Sequence, residues 1–341
     1  MRRLRRWSIR CWALGVPVLL AVAGCTAEPA APDWRPVDLP ATGTATVSEV
    51  ARCADGWYAV GAVAGHPAAW RSADGRGFTV VPVEPRSAYG PEHELVSVAC
   101  VAGRLTALGV AHGGAHGNRR SGTWSLRDGV LVEQVAPPEL YGGPRDAGLA
   151  RVAAGPAGFL VSGNHPGSTG WVSADGGEFR PGYADENLRA YDGAVTTAGF
   201  VLIGDRVWRS ADGARWSAET PGLTLHRATT ADGELLAAGP AGGRFELWGG
   251  PGWRRLVRFG DTAGATPPHV VGLSPGPGGT YAAVASGTRL GLWFCQGDAA
   301  RSVPLPVAPA HVPGARLVLA TGDGQVVVGA GDGRLWFAEA R

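Results

Sequence analysis

The chain contains no lysine: all 31 of its basic residues are arginine, set against 29 acidic residues in a length of 341. Cysteine is scarce, five in all. Beyond residue 24 no apolar run is long enough to cross a bilayer as a helix, so nothing after that point reads as a membrane span. Nowhere do apolar residues keep a helical period for three turns, which argues against a helical architecture. A His-Glu-x-x-His pair and a P-loop are both missing, which removes a common metallohydrolase signature and a common nucleotide-binding signature.

What is present begins with "MRRLRRWSIR", five arginines and no acid, followed by the apolar run "CWALGVPVLLAVAG" of 14 residues. That run is too short for a permanent span and has the order of a secretory signal. It ends in "VAGC", Val22 to Cys25, which resembles the bacterial lipobox. The resemblance implies cleavage before Cys25, a lipid on its sulfur, and residence on the outer face of the cell membrane. Arg5 and Arg6 are faintly similar to a twin-arginine signal, without the rest of that motif. The division is therefore signal peptide 1–24, Pro/Ala tether 25–33 and folded body 34–341. Without the signal, 26 arginines face 29 acids, a net charge of −3, so no nucleic-acid partner is expected. Arginine without lysine, alongside abundant Ala, Gly and Pro, points to GC-rich codons and an actinobacterial source.

Internal repetition dominates the remainder. Seven tryptophans, Trp70, Trp124, Trp171, Trp208, Trp248, Trp293 and Trp336, recur at spacings of 37 to 54 residues. Before each stands a glycine that opens a short apolar strand, as in "GWYAVGA" at 56 and "GFVLIG" at 199. Strands of four to seven residues, broken by Gly and Pro, parse each unit into four antiparallel strands. Seven such units predict an all-β, seven-bladed β-propeller. Only "FAEAR" follows Trp336, so the last unit lacks its outer strand, whereas "DWRPVDLP" (33–40) precedes the first inner strand. Residues 34–39 are therefore expected to dock on the last blade and close the ring, which removes two open strand edges.

"WRSADG" at 70–75 and 208–213, with "WVSADG" at 171–176, raises a choice between chemistry and architecture. The Asp-Gly pair suits a two-residue type I′ hairpin between the third and outer strands. The stretch resembles the Asp-box, or BNR, repeat of sialidases, sortilin-type receptors and photosystem assembly factors. In blades one and four it departs from the family form, because Gly directly follows Asp. The resemblance implies that Asp74, Asp175 and Asp212 are structural turn residues on the face away from any active site. Each turn offers too few oxygens for calcium.

Blade topology puts the Gly turns and Asp-Gly loops on one face, and the second-to-third strand loops and the crossovers between blades on the other. The second face carries the long segments 84–94, 111–122, 137–147 and 181–189, and binding usually resides on such loops. All eight histidines fall on or beside it. The expected recognition surface lies over blades one to three and uses His66, Tyr89, His93, His112, His116, Tyr141, Arg145 and His165. His112 and His116 have a spacing that would pair them on a helix, but the intervening "GGA" disfavours one, so neither metal nor other cofactor is expected. Cys53 and Cys100 hold equivalent places on neighbouring inner strands; a disulfide between them is left open, because such strands can stand too far apart. Cys295 is expected to be a free, packed thiol.

Three functional readings follow. The first is a monomeric, surface-tethered, non-enzymatic propeller that binds a protein or a cell-wall or extracellular glycan. The second is a degenerate sialidase-like glycoside hydrolase, for which Arg52, Arg151 and Arg316 would be the arginines to watch. Against it, the Arg-Ile-Pro of sialidases is missing. The third is a structural assembly factor for an exported complex.

Overall fold

The computed structural model describes residues 32–340, apart from 114–118, 142–148, 165–167, 186–189, 251, 263–266, 288 and 307–316. Cys25, His116, Arg145, His165 and Arg316 therefore lie outside the described residues.

Seven antiparallel sheets are built in chain order, each with its first strand innermost. Blade 1 comprises Ala45–Cys53, Gly56–Val63, His66–Ser72 and Thr79–Val81. The inner strands of blades 2 to 7 are Glu94–Val101, Leu149–Gly155, Ala190–Thr196, Arg227–Ala231, His269–Gly276 and Leu317–Gly322. Blade 2 gains a fifth strand, Val83–Glu84, which pairs parallel to its outer strand Val130–Gln134. Helix is confined, among the described residues, to a 3-10 turn at Gly90–Glu92 and the single turn Pro138–Tyr141.

The ring closes as the ends of the sequence suggest. Arg35–Val37 pairs antiparallel with Leu335–Glu339, Pro36 opposite Trp336, and supplies the outer strand of blade 7. The apolar core follows the same circle. Its seven clusters each combine side chains of two adjacent blades, and one of them joins Val47, Trp57 and Trp70 of blade 1 to Val318, Val327 and Phe337 of blade 7. Each blade buries one face against the blade before it and the other against the blade after it, so the core is continuous around the circle.

The repeated residues have separate tasks. Trp70, Trp124, Trp171, Trp208 and Trp248 are at most 2% exposed between blades, whereas Trp293 and Trp336 are only partly covered. Gly56 has φ +146°, and a Cβ there would lie 2.4 Å from the Ser72 carbonyl oxygen. Gly158 and Gly199 meet Ser173 and Ser210 in the same way, which explains why the unit keeps glycine at the head of its second strand.

The Ser-Ala-Asp-Gly stretch is not a two-residue hairpin. Arg71 pairs with Thr79, so the loop is longer, and within it Gly75 alone takes positive φ, +79°. The Ser72 hydroxyl accepts from the Gly75 N–H at 2.9 Å, and Asp74 accepts from the Arg76 N–H at 2.9 Å. Ser173 with Asp175 and Ser210 with Asp212 repeat this pattern. Side-chain oxygens thus satisfy N–H groups that have left the ladder, and a type I′ turn is unnecessary. The backbone N–H groups hold Asp74, Asp175 and Asp212 below the usual carboxylate range. The I′ geometry occurs instead at Asp128-Gly129, φ +49° and +80°, between paired Arg127 and Val130. The loops also latch onto the preceding blade. Gly176 carbonyl accepts from Thr106 and Ser125 of blade 2, and the Asp212 and Gly213 carbonyls accept from Arg180 of blade 3.

Cys53 and Cys100 form a disulfide across blades 1 and 2, with Cα atoms 5.7 Å apart. The inner strands converge enough at this point for the bond. Cys295 is buried and unbonded, and burial pushes its thiol up to about 12.

Candidate functional site

The inner strands of blades 1 to 4 share a defect that recurs in blade 6 between Val270 and Gly272. Their register against the second strand slips between Val47 and Glu49, Leu95 and Ser97, Leu149 and Arg151, and Ala190 and Asp192. Such a bulge leaves one residue unpaired and re-aims its neighbour. The four residues after the slip, Glu49, Ser97, Arg151 and Asp192, form a polar belt from blade to blade. Glu49 accepts from the Val98 N–H at 2.9 Å and from the Ser97 hydroxyl, whose oxygen accepts from the Val152 N–H at 3.1 Å. Asp192 accepts from the Ala228 N–H at 3.1 Å. Arg151 sits between the two acids, bonded to Glu49 and 3.5 Å from Asp192. Burial alone would lower its pKa; the Asp192 and Glu49 carboxylates outweigh that and raise it.

Above this belt lies a central cavity of about 550 Å³. Glu49 and Arg151 line it, with apolar walls from Val96, Leu149, Leu290 and Leu319. His112 and Arg119 come from a second-to-third strand loop, Arg289 from the start of a third strand, and Glu94 and His269 from the starts of inner strands, so the cavity opens on the long-loop face. Arg119 and Arg289 have no ion-pair partner among the described residues. Beside the mouth, the His226 and His269 rings stand 4.8 Å apart, with Tyr191 edge-on to His226. Burial, His269 and then Arg227 bring His226 down to about 4; burial and Arg227 lower His269 as well. Both rings are therefore neutral at pH 7.

A second cavity, about 460 Å³, opens on the same face over blade 2. Arg119 borders both cavities. Its walls include Tyr89, His93, Arg120, Ser121, Val135 and Tyr141.

Several residues singled out from sequence thus meet, with corrections. His66 is exposed; its Nδ1 lies 2.9 Å from the Pro91 carbonyl oxygen and must carry the hydrogen, since a carbonyl only accepts. Tyr89 is exposed at the second cavity. His93 and Tyr141 are not open surface groups, because each is almost wholly buried under the blade 2 crossovers. His93 Nδ1 accepts from Trp124 Nε1 at 3.2 Å, so its hydrogen is on Nε2, and burial holds its pKa down. Tyr141 packs edge-on against Trp171, and burial pushes its phenol up. His112 belongs to the central cavity rather than to the second. Among the described residues no three His, Cys, Asp or Glu side chains group as a metal site. Asp74, Asp175 and Asp212 lie in third-to-outer strand loops, on the face opposite both cavities.

Of the arginines of the hydrolase reading, the two that are described, Arg52 and Arg151, do not converge. Arg52 stands at the other end of its inner strand, paired with Asp323 at 2.6 Å, while Arg151 is held by its two acids near the cavity. Glu49, Asp192, Arg119 and Arg289 were missed as a group. The sequence signal was slight: a polar residue in the first half of inner strands that are otherwise small and apolar.

A closed circle of seven sheets, six of four strands and one of five, around a polar-belted cavity defines a seven-bladed β-propeller. Structures of known proteins agree on that architecture. YCF48 bound to a D1 peptide is 15% identical over 90% of this chain and 97% of that one, with a TM-score of 0.59. Virginiamycin B lyase from Staphylococcus aureus is 9% identical over 90% and 99%, TM-score 0.64. The WD40 propeller domain of Doa1 is 11% identical over 91% and 98%, TM-score 0.56. At these identities the likeness concerns fold alone. No family model and no curated protein matches the chain in sequence.

Proposed function

We propose that this protein is an exported, lipid-anchored propeller that binds a partner protein through its long-loop face and performs no chemistry of its own. One observation carries the reading: two adjoining cavities, joined at Arg119, open on that face, while Arg151 in the central one is already paired with Glu49 and Asp192. Arg151 is therefore not free to anchor an anionic substrate, whereas Arg119 and Arg289, without an ion-pair partner among the described residues, are available to acidic groups of a partner. A propeller scaffold with long loops needs only complementary surface. Structural neighbours such as YCF48 with its D1 peptide support a protein partner over a glycan. Export and tethering rest on the N-terminal signal and Cys25, which lies outside the described residues.

The test places a photo-crosslinking amino acid at position 112 or 289, and at 128 on the opposite face, in cells carrying the protein. Adducts from 112 and 289 and none from 128 are expected. Equal labelling from 128 would refute the assignment of the binding face. Loss of metabolic palmitate labelling in Cys25→Ser tests the anchor.

A further inference from the structure

The cavity over blade 2 has a feature that its own packing does not explain. Arg120 Nε and the Ser121 hydroxyl are buried in its wall and have no hydrogen-bond partner among the described residues. Buried donors without acceptors are costly, and most in native proteins have a partner. Adjacent to them stand two of the three exposed large apolar side chains among the described residues, Tyr89 at 39% and Val135 at 64%. The Arg120 guanidinium lies over the Tyr89 ring, 5.6 Å from its centre.

The rim is also held in place. Glu133, 3% exposed, accepts from the backbone N–H groups of Arg86 and Ser87 at 2.6 and 2.8 Å and from the Ser87 hydroxyl at 2.6 Å. Ser87 in turn accepts from the Gly90 N–H at 3.0 Å. A Cβ on Gly90 would fall 2.1 Å from Glu133 Oε2, so only glycine lets this turn close. The segment presenting Tyr89 is thereby clamped to blade 2, and little ordering entropy remains to be lost on binding.

From this geometry we infer that the blade 2 cavity is a peptide-docking pocket, which takes an extended acidic segment of a partner protein with a carboxylate on Arg120 and Ser121 and an adjacent apolar side chain between Tyr89 and Val135. The inference deepens the binding-face reading and rests on it. Charge decides the class: Arg119 and Arg120 border the cavity against one carboxylate, Glu133, whose oxygens are bonded into the clamp, so the lining is net positive. A carboxylate is the acceptor that a guanidinium fork and a hydroxyl match best. The aliphatic wall of Val135, Ala136 and Pro137 disfavours a glycan, whose hydroxyls would lose water there and gain no partner.

The probes are three short fluorescein-labelled peptides, read by polarisation on the full folded protein at low salt. One contains glutamates around a phenylalanine, the second has lysines for the glutamates, and the third has glycine for the phenylalanine. The first is expected to bind with Kd of roughly 10–100 μM and to weaken with added salt; the other two bind at least about tenfold more weakly. Tyr89→Ala and Arg120→Gln should each weaken the first peptide about tenfold with the melting temperature unchanged. Equal binding of acidic and basic peptides, no binding of the first, or indifference to both substitutions overturns the pocket. Preferential binding of an oligogalacturonate, displaced by Arg120→Gln, overturns the peptide class. Adducts from position 112 without peptide binding would leave the binding face standing and remove this pocket alone, whereas adducts from position 128 only would remove both.

Discussion

Deleting residues 34–39 tests the closed ring most directly. Val37 is 6% exposed and packs into the cluster shared by blades 1 and 7, with Leu39 partly buried against it. Trp34 packs partly on the cluster between blades 6 and 7, and its Nε1 donates to the Pro304 carbonyl at 2.8 Å. Burying a valine is worth about 2 kcal/mol, the two partly buried side chains about 1 kcal/mol each, and the tryptophan hydrogen bond about 1 kcal/mol. The loss is then about 5 kcal/mol, a large part of the 5–15 kcal/mol typical of a folded domain. At roughly 2 cal/mol/K per residue, a body of 310 residues has an unfolding entropy near 0.65 kcal/mol/K, so Tm should fall by about 8 °C. Val37→Ala alone should lower it by about 2 °C. The deletion also bares the edge of Leu335–Glu339, so the truncated protein should associate as its concentration rises. Calorimetry and light scattering read both effects. A melting temperature within about 2 °C of the parent, with a monomer at all concentrations, would refute a ring closed by the N-terminal strand.

Arg151→Met should destabilise by about 3 kcal/mol, because it strands Glu49 and Asp192 without their shared cation; the added changes Glu49→Gln and Asp192→Asn should recover much of that in urea unfolding. A loss no larger in Arg151→Met alone than in the triple variant would show that the belt is not an ion triad. His226 supplies the pH dependence. Its folded pKa of about 4 lies below an unfolded value near 6.5, so the unfolded chain binds more protons between those values. The stabilisation is therefore present above pH 6.5 and disappears as pH falls to 4, on the order of 3 kcal/mol in all. His226→Asn should flatten the stability profile across that window, and an unchanged slope would assign it to other groups.

Much of this molecule was legible because its determinants are local and repeated. The glycine before each second strand, the buried tryptophan of the third and the unmatched ends each follow from neighbours within one or two blades. The Asp-Gly pairs were legible as turns but not as turn types, because Asp128-Gly129 and Asp74-Gly75 share a dipeptide and differ in the serine that replaces a strand hydrogen bond. His93 was placed on the correct crossover and on the wrong side of it. The crossover folds back under Glu133, 46 and 47 residues from the amides that it holds.

The sequence by itself determined the architecture: short strands, their turn residues and a count of seven, all set by chain-local preferences that repetition makes redundant. Only the tertiary structure decided the site. Arg151 meets Glu49 across 102 residues and Asp192 across 41, and it does so because a one-residue slip in each of these three inner strands aims their side chains into a common channel. Such slips depend on how neighbouring blades pack, so a pattern of residue types along one strand carries no record of them.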